Sequence, residues 1–248
     1  MPEGDALHRA AAQLQPLVGE RIEASSPNPQ GEATGVARAV DGRVLEGVEA
    51  VGKHLLLHFE GGVVLRSHLR MNGRWRIVPR DTTRGRPWLV LRGRAWEATQ
   101  WNGPVLTLER RPLRRLGPDL LADDTDVADV VGRLRREPSS RLVGEALLDQ
   151  RVVAGLGNMW LAEMLWEARV SPWIRVGAVT DDELAQALGW AREAMRTAVH
   201  APRGRRAVYR RAGMACRRCG TPIASRGLGD ANRTAYWCPA CQPDRVSR

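Results

Sequence analysis

Cys216-Arg217-Arg218-Cys219 and Cys238-Pro239-Ala240-Cys241, with eighteen residues between them, govern the reading of the C-terminal end of this chain. Two C-x2-C knuckles at that separation supply four thiolates that can close tetrahedrally on one zinc ion. Disulfides are the alternative, but a reducing compartment and cysteines grouped in close pairs disfavour it. Four cysteine ligands leave no open position on the metal, so the expected Zn2+ is structural rather than catalytic. A segment this short has little core of its own, and metal binding would supply much of its folding energy. Between the knuckles, Ile223 to Trp237 reads as a β-hairpin whose turn includes Gly227 to Asp230.

The charge around these knuckles points to a polyanion. The 248 residues carry a formal charge of +10. From Ala201 onward there are eleven arginines against two acids, Asp230 and Asp244, so this segment alone holds +9. Nucleic acid is the commonest partner for such a surplus, and the hairpin would carry Arg226 and Arg233 towards a phosphate backbone. An arginine-rich disordered tail is the bland alternative, and the paired cysteines argue against it. No apolar run approaches the eighteen or so residues of a membrane span. Met1-Pro2-Glu3-Gly4-Asp5 lacks the basic segment and apolar core of a secretory signal. A cytoplasmic, nucleoid-associated protein is expected.

Working towards the N-terminus, the residues from about Val127 to Thr197 have helical periodicity, with pieces at Arg141–Gln150 and Asn158–Ala168. Between these pieces lies Val153-Ala154-Gly155-Leu156-Gly157-Asn158, a glycine-containing turn that opens onto a helix. Backbone N–H groups at such a start suit a phosphate, although an ordinary tight corner between helices reads the same way. The stretch from Leu116 to Asp126 is rich in turn residues and reads as a linker that can cap a helix.

The first 116 residues instead suggest short strands: Arg43–Leu45, His54–Phe59, Val63–His68, Arg74–Val78, Trp88–Leu91 and Val105–Leu108. Glycine-containing turns separate several of them, as in a sandwich or barrel. An amphipathic helix from about Asp5 to Val18, with Leu7, Ala10, Ala11, Leu14 and Leu17 on one face, precedes them. The expected fold is multi-domain α+β: a β-sandwich with an N-terminal helix over 1–117, a linker and helical domain over 118–203, and a zinc hairpin over 204–248. A cleft between the two larger domains would make a natural groove for a duplex.

Two features carry reactive chemistry. Lys53 is the only lysine among 38 basic residues. Arginine replaces lysine at generic surface sites but not where a compact ammonium or a removable proton is needed, so Lys53 suggests a specific task; chance survival is the alternative. Removal of Met1 would expose Pro2 as a secondary amine titrating near ~8. Such an amine can attack a sugar carbon at the aldehyde oxidation level, forming an iminium that acidifies the neighbouring C–H. Glu3 is placed to give and take the protons required.

Met1-Pro2-Glu3-Gly4-Asp5, Val51-Gly52-Lys53, His68-Leu69-Arg70-Met71-Asn72-Gly73, Leu116-Gly117-Pro118-Asp119, Gly155-Leu156-Gly157-Asn158 and the two cysteine knuckles occur in this order. Together they resemble the formamidopyrimidine-DNA glycosylase and endonuclease VIII family of base-excision repair enzymes. The resemblance implies a β-sandwich, a helix–two-turns–helix domain and a zinc finger. It implies Pro2 as nucleophile at C1′, Glu3 as the acid–base residue, and Lys53 as a phosphate contact that assists base removal. His68 falls within a matched motif and joins the DNA-binding set. Asn158 and Arg233 match phosphate-gripping residues, and Met71 is in the position of a wedge that fills the gap left by an everted nucleotide. Cys216, Cys219, Cys238 and Cys241 match the zinc ligands. The implied partner is damaged double-stranded DNA, the implied products come from β- and δ-elimination, and the implied state is a monomer.

Departures from the family pattern bear on the substrate. Pro2-Glu3-Gly4-Asp5 is closer to the endonuclease VIII opening than to Pro-Glu-Leu-Pro-Glu. Val199 to Gly204 runs almost directly into Val208-Tyr209, leaving little room for a lesion-capping segment, and Glu109-Arg110-Arg111-Pro112 does not match the wedge loop of the purine enzymes. These features favour oxidised pyrimidines. His68-Leu69-Arg70-Met71 resembles the purine-enzyme loop and keeps oxidised purines as the alternative. A non-catalytic damaged-DNA-binding protein on the same fold is the alternative from another class.

Overall fold

The computed structural model describes residues 2–109, 116–201, 203–229 and 233–244. The chain divides into two compact units, Met1–Arg114 and Arg115–Arg248.

The first unit opens with α1 (Gly4–Leu14), which buries Leu7, Ala10, Ala11 and Leu14. The helix expected to reach Val18 stops at Leu14, and Gln15–Leu17 forms a single 3-10 turn. Pro16 explains the stop, because it has no N–H for the helical ladder and its ring collides with the carbonyl four residues earlier. Next come β1 (Glu23–Ser25), two short helices, α2 (Pro29–Glu32) and α3 (Val36–Val40), and then β2 (Leu45–Val51) and β3 (His54–Phe59). The remaining strands are β4 (Val63–His68), β5 (Arg74–Pro79), β6 (Leu89–Arg92), β7 (Trp96–Trp101) and β8 (Val105–Glu109).

These strands form two antiparallel sheets, ordered β1-β6-β7-β5 and β2-β3-β4-β8. Alternation dictates the inner faces: Leu55, Leu57 and Phe59 of β3, Leu65 of β4, and Leu89 and Leu91 of β6 share one core with α1. The strand expected at Arg43–Leu45 starts later, at Leu45, and continues to Val51. The reading from sequence missed β7 altogether. This strand buries Glu97, Thr99 and Gln100 as fully as Ala98, so it shows no apolar alternation. Glu97 is accommodated because Arg92 Nε (3.0 Å) and the Thr83 backbone N–H (2.7 Å) donate to its carboxylate.

The second unit contains α4 (Val127–Leu134), α5 (Val143–Leu148), α6 (Asn158–Glu167) and α7 (Asp181–His200). Asp126 caps α4 by accepting the Ala128 N–H at 2.9 Å. Thr180 and Glu183 form a reciprocal capping box on α7. The helix expected over Arg141–Gln150 is shorter at both ends. Leu142 is its extended N-cap and Asp149 its extended C-cap, and the Asp149 carboxylate turns the chain by accepting from the Arg151 N–H at 3.0 Å.

The hairpin is β9 (Ala224–Leu228) paired with β10 (Arg233–Trp237). Gly227, expected in the turn, instead pairs with Thr234 on the strand; Gly229, at φ +65°, begins the turn. Asp230, at the far end of the expected turn, lies outside the described residues, as does Arg110–Pro112 of the expected loop. Val208, Tyr209, Cys216, Ile223, Leu228, Ala235 and Cys238 share one hydrophobic core with α4 to α7. Among the described residues no helix is long and apolar enough to cross a membrane.

Candidate active site and nucleic-acid interface

Within the first unit, Glu3 is the N-cap residue of α1, and its backbone is extended. Its side chain is 1% exposed while Pro2 beside it is half-buried. The residue therefore lies at the positive end of a helix, an environment that suits a carboxylate. The arrangement places a half-buried proline and a sequestered acid side by side at the start of a helix.

α1 packs against β2 and β3, and the turn between these strands carries Lys53. Gly52 adopts φ +61° there, a left-handed conformation that glycine accepts without a steric penalty. His54 begins β3 and His68 ends β4, and the register that pairs Leu55 with Ser67 sets them side by side. Their rings meet edge to face, with centroids 5.1 Å apart. Burial, the neighbouring His68 and the charges of Arg66, Arg70 and Lys53 push the His54 imidazole down to about 4. Burial followed by Arg70, Lys53 and Arg66 lowers His68 to about 4 as well. Both rings are neutral at pH 7, surrounded by permanent cations. His54 was not singled out in the sequence, yet its Nδ1 is buried without a hydrogen-bond partner.

The chain crosses from one sheet to the other between β4 and β5, at Leu69–Gly73. The Gly73 N–H donates to the Leu69 carbonyl (2.8 Å) and closes a tight turn. The Arg70 N–H donates to His68 Nδ1 (2.9 Å). Leu69 is buried as the anchor, and Met71 at the tip is 54% exposed. The Met71 side chain is thus no part of the core.

In the second unit, Gln150 braces the glycine turn from both sides: its Oε1 accepts the Gly155 N–H (3.1 Å) and its Nε2 donates to the Leu156 carbonyl (2.9 Å). The turn delivers Asn158 as the first residue of α6. Asn158 is buried, its Nδ2 donates to the Thr234 carbonyl at 2.8 Å, and its Oδ1 is buried without a partner. Arg233, the next residue along the hairpin, is exposed and lines a cavity of about 340 Å³ with Arg141, Asp149 and Gly229. The structure therefore brings Asn158 and the Arg233 strand together, although 75 positions separate the two residues in sequence. Gln150 and Thr234 give no sequence signal, since their contribution is an amide and a backbone carbonyl.

The four cysteine sulfurs lie within 4.8 Å of one another, and none is in a disulfide. A tetrahedral ion with metal–sulfur bonds of ~2.3 Å separates its ligands by roughly 3.8 Å, so the cluster could hold one metal ion. Backbone N–H groups of Arg218 and Cys241 donate to Cys216 and Cys238 Sγ, each at 3.4 Å. Trp166 on α6 adds its indole N–H to Cys216 Sγ, also at 3.4 Å. Burial pushes the Cys216 thiol up, but hydrogen bonds from the Arg218 N–H, the Trp166 indole and the Cys219 N–H outweigh it and bring the group down to about 6. Arg218 stacks over the Trp166 ring at 4.0 Å and donates to its carbonyl at 2.9 Å. Three residues before Trp166 on α6, the Glu163 carboxylate accepts the backbone N–H groups of Ala207, Val208 and Tyr209 at 2.7, 3.1 and 2.9 Å.

Comparison with known proteins adds to this geometry. Residues 1–104 match the model of the formamidopyrimidine-DNA glycosylase N-terminal domain, and residues 116–208 that of the formamidopyrimidine-DNA glycosylase H2TH domain. The chain is 36% identical to a probable endonuclease 8 2 of Streptomyces coelicolor, over 100% of this chain and 96% of that protein. It is 34% identical to the DNA-(apurinic or apyrimidinic site) lyase Nei2 of Mycolicibacterium smegmatis, over 98% and 99%. It is 32% identical to a formamidopyrimidine-DNA glycosylase of Thermus thermophilus, over 98% of each. In three dimensions it is similar to the Lactococcus lactis formamidopyrimidine-DNA glycosylase solved with DNA containing an abasic site. The TM-score is 0.80 at 24% identity, covering 98% of this chain and 100% of that one.

Proposed function

The chain belongs to the formamidopyrimidine-DNA glycosylase and endonuclease VIII family, and from that membership we propose that it is a bifunctional DNA glycosylase and abasic-site lyase of base-excision repair. The observation that carries the catalytic reading is the pairing of half-buried Pro2 with buried Glu3 at the start of α1. The names of the relatives, endonuclease 8 and abasic-site lyase among them, support the same reaction class.

In this reading Met1 is removed and the Pro2 nitrogen attacks C1′ of a damaged nucleoside. The C1′–N bond breaks, the base leaves with a proton, and the deoxyribose ring opens to an iminium on Pro2. Glu3 moves the protons at the ring oxygen and at C2′. The iminium withdraws electrons from C2′–H, so the 3′ phosphate leaves by β-elimination and the 5′ phosphate by δ-elimination, after which water releases the sugar fragment. Lys53 and His68 hold phosphates by an ammonium and by neutral N–H donation, and Met71 fills the space of the everted nucleotide. Asn158, at the N-terminus of α6, and Arg233 grip the backbone of damaged double-stranded DNA.

The four cysteines hold one structural Zn2+, the ion best matched to a closed four-thiolate site. Oxidised pyrimidines are the preferred lesions, the reading favoured by the Pro2-Glu3-Gly4-Asp5 opening. The short run from α7 to Val208 leaves few residues for a base-capping loop. The protein acts as a monomer in the cytoplasm, on the nucleoid.

Borohydride trapping on a duplex with one abasic site tests the catalytic reading. The expected product is a covalent adduct that peptide mass spectrometry places on Pro2. If protein shown by intact mass to lack Met1 gives no adduct, the lyase mechanism is rejected and a non-catalytic DNA-binding role takes its place. Thymine glycol should be cut in preference to 8-oxoguanine, and the reverse order would reject the pyrimidine assignment.

A further inference from the structure

A second cavity, of about 300 Å³, lies wholly within the second unit between α6, α7 and the segment that follows α7. Its walls are the indoles of Trp160, Trp166 and Trp190 with the side chain of Met159. Trp160 and Trp190 meet edge to face with centroids 6.4 Å apart; Trp160 is buried, whereas Trp190 is half-buried. Arg203, Gly204, Arg205 and Arg206 line its other side.

The charge of this lining is unbalanced. Its one acid is Glu163, whose two carboxylate oxygens are engaged by the backbone N–H groups of Ala207, Val208 and Tyr209. The same three hydrogen bonds fix the base of the arginine segment against α6. The recess thus has three tryptophans on one side and three arginines on the other, with Arg206 also lying over the Tyr209 ring, 5.1 Å from its centroid.

From this juxtaposition we propose that the cavity is a nucleotide-binding site, in which a nucleobase packs on the Trp190 indole and its phosphate is held by Arg203, Arg205 and Arg206. Aromatic faces stack any base, and arginine recognises phosphate through its planar fork of donors. The volume lies at the small end of ligand pockets, which suits one nucleotide and not a dinucleotide or an acyl chain. The ligand is either a free mononucleotide or one nucleotide of a DNA strand, since both present the same base and phosphate. The site requires neither Pro2 nor strand cleavage, so it stands apart from the glycosylase reading.

The probes are 5-iodo-2′-deoxyuridine 5′-monophosphate and a single-stranded oligonucleotide carrying one 5-iodouracil, each photo-crosslinked to the full-length protein. Peptide mass spectrometry locates the adducts, and calorimetry with thymidine 5′-monophosphate gives the affinity. A saturable mononucleotide site that crosslinks at Trp190, with affinity at least fivefold weaker in Arg205→Ala, supports the free-nucleotide source. Crosslinking at Trp190 by the oligonucleotide alone, lost in Trp190→Leu and reduced in Arg205→Ala, supports the strand. Arg205 is exposed, so its substitution does not threaten the fold. Absence of any adduct in this cavity with both probes overturns the proposal, as does binding that Arg205→Ala leaves unchanged. A failed borohydride trap leaves this result intact, and a failed crosslink leaves the lyase assignment intact.

Discussion

Asn158 Nδ2 donates to the Thr234 carbonyl across 2.8 Å, joining the first residue of α6 to the hairpin strand one position from Arg233. α6 is tied to the C-terminal segment elsewhere too: Glu163 holds Ala207 to Tyr209, Trp166 reaches Cys216, and Arg218 bonds the Trp166 carbonyl. The helix is therefore a strut along which the glycine turn and the cysteine cluster keep a common register. Substituting Asn158 by Ala removes the bond to Thr234, with a stability loss of about 1 kcal/mol. Urea denaturation checks that value. Duplex affinity should fall by more than stability alone explains if Asn158 also grips a phosphate as proposed.

Arg233→Ala should leave stability nearly unchanged, since the side chain is exposed and surface substitutions usually stay within about 0.5 kcal/mol. The log–log dependence of duplex affinity on salt should flatten by about 0.9, the slope of one phosphate contact. Lesion preference should not move. Fluorescence anisotropy across a salt series measures the slope, and an unaltered slope would remove Arg233 from the phosphate contacts.

Met71 and Gly73 should separate function from folding within one turn. Met71→Ala removes a side chain that is 54% exposed, so thermal stability should hold while cleavage of a lesion-bearing duplex drops. Gly73→Ala should do the opposite first. A Cβ there would stand 2.5 Å from the Leu69 carbonyl oxygen, so the turn must open, at a cost of about 1–3 kcal/mol. Melting curves and single-turnover cleavage distinguish the two.

The paired imidazoles set a pH window. His54 and His68 are lowered from 6.5 to about 4 in the folded protein. Below pH 6.5 the unfolded chain takes up protons that the folded chain refuses, so stability falls as pH drops from 6.5 to 4 and is indifferent to these groups above that window. His54→Phe keeps an aromatic ring and removes one titration. Its urea midpoint should therefore decline less between pH 7 and pH 5 than that of the unaltered protein, and an equal decline would show that the pair does not titrate as described.

Removing metal should loosen the hairpin and, through Trp166, the end of α6. Trp166→Phe keeps the packing surface but deletes the N–H that reaches Cys216 Sγ. Partners of this kind typically alter metal affinity by about 10-fold or more. Competition for Zn2+ against a chromophoric chelator should show weaker retention by that factor, without any change in metal stoichiometry.

Sequence and tertiary structure contributed different kinds of information. The paired cysteines, the Pro2-Glu3 opening, the period-two strands around Leu55 to Leu65 and the helical face of α1 were legible residue by residue, because periodicity and ligand spacing are local properties. Local signals also misled where polar residues were buried. β7 hid because Glu97, Thr99 and Gln100 face inward with partners supplied from elsewhere in the chain. The ends of α1 and α5 shifted because Pro16 and the Asp149 carboxylate intervene. The order of residues along the chain thus determined which could bear chemistry: Pro2, Glu3, the lone lysine and the four cysteines. Only the folded structure decided that His54 meets His68, that Gln150 braces the turn before Asn158, that Asn158 bonds Thr234, and that Trp166 reaches Cys216. Those contacts depend on strand register and helix packing between distant segments, and burial gives such hydrogen bonds and charges their strength.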